Sequence, residues 1–187
     1  MAEPARLRLF VALELPAAAR EALAVFCDEA ADPKIWRPVR DEALHVTLAF
    51  LGHRPAEDAA TVSSVLSRCA GPAPPLAFGG ALLLPPRRAR VLCAEVADVE
   101  GELGALQARV AAGLVHAGVY EPSHRPFRPH ATVARLRSGA RSPRSAPVVD
   151  PSPLAFLGET LTLYRSGGAV YEPLARVPLP RASTSSG

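Results

Sequence analysis

Several features that would each settle a class of function are missing or scarce in this sequence. No run approaches the roughly 18 apolar residues that a membrane-spanning helix needs, although 49% of the 187 residues are hydrophobic. The opening MAEPARLRLFVALELP lacks the basic start, long apolar stretch and small-residue cleavage site of a secretory signal. A soluble cytoplasmic protein is therefore expected. The three cysteines, Cys27, Cys69 and Cys93, are odd in number and widely spaced. They form neither a disulfide framework nor a metal or redox spacing, and are expected as small reduced core residues. Lysine is nearly absent: Lys34 is the only one among 21 basic residues. Arginine suits bidentate phosphate recognition better than lysine does. A GC-rich coding sequence would also enrich arginine, together with Ala, Pro and Gly, so composition alone names no partner. No G-x-S-x-G string signals an activated serine. No histidine is accompanied by further ligands at usable metal spacing, so neither metal nor cofactor is expected.

What is present reads as an α+β chain. RLRLFVALEL (residues 6–15) alternates cleanly and predicts a strand with Leu7, Leu9, Val11, Leu13 and Leu15 on one face. Pro16 ends it, and AAAREALAVFCDEAA predicts a helix. A short WRPV segment around Trp36 leads into the strand ALHVTLAFLG (residues 43–52). PAEDAATVSSVLSRCA predicts a second helix, with a proline and then acids near its start. PLAFGGALLLP and RVLCAEVA read as two strands joined by an arginine-rich turn at residues 85–90. Residues 100–117 form a longer amphipathic helix. After the polar loop YEPSHRPFRP comes the strand HATVARLR. Residues 138–153 have loop composition, and LAFLGETLTLYRS with AVYEPLARVPL predicts a final hairpin around Gly167-Gly168. Residues 181–187 are expected to be a disordered tail. About eight strands and three helices without regular βα alternation imply mostly antiparallel sheets with helices on one side of each.

One pattern occurs twice. HVTL at residues 45–48 and HATV at residues 130–133 both read His-x-Thr-apolar, and both open a strand, in a chain with five histidines and six threonines. Residues two apart on a strand share a face, so His45 lies with Thr47 and His130 with Thr132. Strict alternation extends the first set to Ala49. It puts Val46, Leu48 and Phe50 on the far face, and it puts Arg135 opposite His130. Histidine can be neutral or protonated near pH 7. Two imidazoles across a cleft, one an acid and one a base, suit in-line displacement at phosphorus. The threonine hydroxyls would then donate to non-bridging phosphate oxygens.

The doubled HxTx motif resembles the 2H phosphoesterase superfamily, and within it the RNA 2′,3′-cyclic phosphodiesterases, also called 2′-5′ RNA ligases. The likeness is carried by RLFVALELP at the start, LHVTLAFLG after Trp36, FRPHATVAR, and LTLYRSGGAVYEPL. It implies one bilobal domain over residues 1–180, with two mostly antiparallel sheets flanking a central cleft and helices on the outer faces. It further implies His45 as proton donor, His130 as proton acceptor, and hydrolysis of 2′,3′-cyclic phosphate ends to 2′-phosphates without metal. With a ribose 5′-hydroxyl as nucleophile, the same site would make a 2′-5′ linkage without ATP. Arg135 matches the family's PHxTxAR string, but would reach the phosphate only if its strand twists or bulges. The sequence departs from the family string at Ala49, usually a lysine, where a changed substrate contact is expected, and at the small Ala131.

Among the aromatics, Trp36, Phe50 and Phe127 are candidates to stack on a base. Phe50 is expected in the core, and Phe127, just before His130, is the better candidate. His53, His116 and His124 follow no motif. Arg87, Arg88 and Arg90 read as a solvated hairpin tip that could also guide an RNA backbone. The expected partner is RNA with a 2′,3′-cyclic phosphate end, including tRNA fragments or nucleotides, and the chain is expected to be monomeric. Alternatives are a phosphodiesterase of small cyclic nucleotides, ADP-ribose cyclic phosphate or 2′-5′ oligonucleotides, and a non-catalytic RNA- or nucleotide-binding module.

Overall fold

The computed structural model describes residues 5–149, 154–167 and 170–181. The expected tail, save Arg181, the centre of the last hairpin turn and the end of the 138–153 loop lie outside them. The first strand, β1 (Arg6–Glu14), is followed by α1 (Ala17–Ala30), β2 (Trp36–Pro38) and a 3₁₀ turn at Asp41–Ala43. Then come β3 (His45–Pro55), α2 (Asp58–Cys69), β4 (Pro75–Leu84), β5 (Val91–Ala97) and α3 (Glu102–His116). The chain ends with β6 (His130–Leu136), β7 (Ala155–Leu157), β8 (Thr160–Gly167) and β9 (Val170–Pro178). No helix among the described residues is long and apolar enough to cross a membrane.

Alternation in β1 does what its pattern predicts. Leu9, Val11, Leu13 and Leu15 are fully buried in the main core, each contributing roughly 1.5–3 kcal/mol. The opposite face carries Arg8, Phe10, Ala12 and Glu14, and Phe10 and Ala12 form a small second cluster with Tyr164. Helix α3 starts where the Asp98 carboxylate accepts hydrogen bonds from the backbone N–H of Leu103 and Gly104, at 3.1 and 2.8 Å. It packs against α2 at Gly113, where an added Cβ would come within 2.8 Å of Val65.

The two expected sheets are two halves of one nine-stranded sheet, ordered β7-β4-β5-β6-β3-β1-β8-β9, with β2 also on β6. The join between β6 and β3 is a single antiparallel pair, Val46 opposite Ala131. A join one pair wide keeps the ladder continuous while leaving each half its own curvature. LAFLGETLTLYRS, expected as one strand, is split. β7 pairs with β4 in one half and β8 with β1 in the other. The crossing is made at Gly158 and Glu159, whose N–H groups bond the carbonyls of Pro74 and Glu14. Gly158 approaches Leu13 so closely that a Cβ would sit 2.5 Å from its side chain. Only glycine fits there.

Candidate active site

The register of β3 against β6 brings the two motifs together. Carried one residue either side of the Val46–Ala131 pair, it sets His45 opposite Thr132 and Thr47 opposite His130. Each strand then slips by one residue directly after its threonine. In β3, Ala12 pairs with Thr47 but Val11 with Ala49, so Leu48 is an extra residue. In β6, Cys93 pairs with Thr132 but Leu92 with Ala134, so Val133 is extra. These are β-bulges, and each reverses the in–out parity of the residues that follow, in β3 as far as a second slip at Leu51. The freed carbonyls find other donors. Gln107 Nε2 donates to the Leu48 carbonyl at 3.2 Å, and Val39 N–H to that of Val133 at 2.9 Å.

Parity reversal corrects three readings made from strict alternation. Phe50 is on the histidine face, 48% exposed, with the Arg8 guanidinium 4.6 Å from its ring centroid. Ala49 is in the core at 3% exposure and is not among the cavity-lining residues. Arg135 shares the face of His130 and Thr132. The bulge that its role required is present.

A cavity of about 630 Å³ opens on this face, within the range that holds a whole small ligand. Its lining includes His45, Thr47, Thr132, Arg135, Phe50 and Tyr171, with Arg8, Arg37 and Arg40 completing four cations. Among the described residues no carboxylate lines it, and none of the four arginines has an ion-pair partner. An anion belongs there. Trp36 is buried at 2% exposure and cannot stack on a ligand. Phe127 packs half-buried against the core and is not among the lining residues. Arg87, Arg88 and Arg90 are exposed at the β4–β5 turn. Among the described residues no cluster of three His, Cys, Asp or Glu side chains could hold a metal.

The two histidines sit in different surroundings. His45 is stacked on Phe10 at 5.1 Å and meets the edge of Tyr171 at 5.5 Å. Its Nε2 lies 3.1 Å from Thr47 Oγ1, while Nδ1 is buried with no hydrogen-bond partner among the described residues. Burial pushes its pKa down to about 4. The Ala43 backbone opposes this; Arg135 and His130 lower the value further and Glu14 raises it. His45 is therefore neutral at pH 7. His130 is not among the cavity-lining residues, though it is near enough to lower the His45 pKa. Its Nδ1 lies 2.7 Å from the Arg128 carbonyl. A carbonyl only accepts, so Nδ1 carries a hydrogen, and in the neutral ring the lone pair is then on Nε2. That tautomer is a base.

Behind His45, Glu14 Oε1 accepts from Thr162 Oγ1 and the Tyr164 hydroxyl at 2.8 Å each, and from Arg176 Nε at 2.9 Å. Burial would raise its pKa, but the bonds from Arg176, Tyr164 and Thr162 outweigh it and hold the carboxyl below its ordinary value. Cys93 Sγ is 3.6 Å from Thr132 Oγ1, and burial pushes the thiol up to about 11, so it is a bystander. Sequence reasoning missed Tyr171, Glu14, Arg8, Arg37 and Arg40. None carries a motif; β1 alternation alone could have placed Arg8 and Glu14 together.

Residues 9–169 match the profile of the 2′-5′ RNA ligase superfamily. The chain belongs to that family. It is 32% identical over 185 residues to the RNA 2′,3′-cyclic phosphodiesterase of Escherichia coli, covering 94% of this chain and 97% of that one. It is 35% identical over 156 residues to the enzyme of the same name from Thermus thermophilus, covering 76% of this chain and 74% of that one. Among solved structures, E. coli LigT complexed with 3′-AMP superposes at a TM-score of 0.78, with 28% identity over 95% of this chain and all of that one. A Thermus thermophilus structure gives a TM-score of 0.79 at 31% identity, over 94% of this chain and all of that one. The superfamily fold and the phosphodiesterase resemblance implied by the doubled motif both hold.

Proposed function

We propose that this chain hydrolyses 2′,3′-cyclic phosphate ends of RNA to 2′-phosphates without a metal, residues 1–180 working as one bilobal domain. The observation that carries this reading is the cavity in which Thr47, Thr132 and Arg135 converge beside His45, among uncompensated arginines. The bound cyclic phosphate takes hydrogen bonds from the two threonine hydroxyls and charge from Arg135. His130 Nε2 takes a proton from water as its oxygen bonds to phosphorus. The bond from phosphorus to the 3′ oxygen breaks, and that oxygen receives the His45 proton. The anion itself readies His45, since negative charge in the cavity raises the pKa that burial lowers. With a ribose 5′-hydroxyl in place of water, the same steps join two RNA ends through a 2′-5′ linkage. The substrate is RNA, tRNA fragments included, met by a monomer in the cytoplasm.

The test is a short RNA ending in a 2′,3′-cyclic phosphate, incubated with wild type and His130→Ala in excess EDTA and followed by phosphorus NMR. Conversion to a 2′-phosphate by wild type alone is expected. A 3′-phosphate would reverse the leaving-group assignment. No turnover would favour the small-nucleotide or binding-module alternatives.

A further inference from the structure

On the reading just given, we propose that Tyr171 is a positioning residue of this site, its hydroxyl holding Arg135 across the cleft and its ring walling off His45. Tyr171 lies on β9, 41 positions after His130 in the chain, and faces Ser166 of β8. It comes from the half of the sheet that carries His45, and Arg135 from the half that carries His130.

The hydroxyl has one clear job. Arg135 Nη2 donates to the Tyr171 hydroxyl at 3.0 Å. Among the described residues this is the one side-chain hydrogen bond joining strands of the two halves. Arg135 has no carboxylate partner there, so this bond is what restrains the guanidinium over the cavity. A restrained guanidinium meets a phosphate with less ordering entropy to lose.

The ring has a second, separable job. It stands edge-on to His45 at 5.5 Å and 74°, and edge-on to Phe10 at 4.9 Å and 76°. With Phe10 stacked on its face and itself touching Tyr171, the imidazole abuts a corner of two adjoining aromatic rings. The groups of charge or titration facing His45 are Glu14 on β1, Arg135 and His130 on β6, and the Tyr164 and Tyr171 phenols on β8 and β9. Removing the Tyr171 ring admits water to one side; it also frees Arg135, which Tyr171→Phe frees equally, so the difference between the two variants belongs to the ring.

Two variants separate the jobs. Tyr171→Phe keeps the ring and loses the bond to Arg135. It should weaken binding of inorganic phosphate and raise KM for cyclic-phosphate RNA about tenfold, the worth of one hydrogen bond to a charged group, with kcat within a factor of two. The His45 titration, followed by NMR of its ring carbons, should stay near its wild-type midpoint. Tyr171→Ala should give the same loss in phosphate binding and move the His45 midpoint up by at least one pH unit. Wild-type phosphate affinity in Tyr171→Phe, or an unmoved His45 midpoint in Tyr171→Ala with a native melting profile, would overturn the proposal. Phosphate binding and the titration need no turnover. A wild type inactive on RNA would thus sink the proposed reaction and still leave these two results to decide on Tyr171.

Discussion

The two HxTx strands carry the same four-residue word and the same bulge after it, yet they furnish the site differently. Five residues after its histidine, β3 presents Phe50 and β6 presents Arg135. One is an aromatic shelf, the other a cation, and both line the cavity. His45 packs against Phe10 and Tyr171 with an Nδ1 that has no hydrogen-bond partner among the described residues, whereas the Arg128 carbonyl fixes a hydrogen on His130 Nδ1. A repeated backbone fixes where side chains point. On the proposed reading His45 gives a proton and His130 takes it, and the two imidazoles differ in enclosure.

The sharpest way to test that asymmetry is to alter the leaving group. Both His45→Ala and His130→Ala should lower kcat on cyclic-phosphate RNA by about 10²–10⁴. On a nitrophenyl phosphodiester, whose leaving group needs no proton, His45→Ala should regain most of its activity and His130→Ala none. Equal behaviour of the two variants would erase the donor–acceptor assignment.

The fifth positions come next. Arg135→Ala should cost about 10²-fold in kcat/KM by removing stabilisation of the transition-state charge. Phe50→Ala should act on KM, by roughly the 1–3 kcal/mol worth of one stacked base, with kcat little changed. If both altered kcat alike, the division between shelf and cation would fail.

The depressed pKa of His45 gives two pH effects of known sign. Phosphate in the cavity raises that pKa, so binding takes up a proton and affinity should rise as pH falls through the interval above 4. Calorimetry in buffers of different ionisation enthalpy reads that uptake directly. Folding moves the other way. The unfolded chain binds a proton near pH 6.5 that the native His45 refuses until about 4. Stability is thus lost as pH falls between those values, by at most about 3 kcal/mol. His45→Gln should flatten that part of a stability–pH curve.

The smallest expected effect concerns the bulges. Gln107→Ala leaves the Leu48 carbonyl without its side-chain donor and should lower stability by about 1 kcal/mol in urea unfolding. Activity should fall only as far as Phe50 is displaced.

Much of this was legible beforehand. The β1 alternation, the paired motifs and their shared face followed from residue type and spacing, because period-2 patterning survives wherever a strand is regular. What was lost was lost at the slips. Ala49 and Phe50 exchanged faces, and Arg135 reached the cleft, because one extra residue at Leu48 and one at Val133 reverse the alternation. Neither leucine nor valine announces a bulge. Their displaced carbonyls are satisfied by Gln107 and Val39, distant in sequence or irregular in structure. Tyr171 and Glu14 were invisible for another reason: their parts depend on which strands become neighbours. The splitting of β7 from β8 likewise depends on a packing contact, Gly158 against Leu13, rather than on local preference.

The single pair that joins the two halves of the sheet has one further consequence. An antiparallel pair has a local dyad, and here it passes between Val46 and Ala131. Rotation about it exchanges His45 with His130 and Thr47 with Thr132. Displacement at phosphorus needs an entering and a departing group on opposite sides. Two imidazoles related by a half-turn supply opposed approaches automatically. The stereochemistry of the reaction is therefore written in how two strands pair, before any loop or helix refines it.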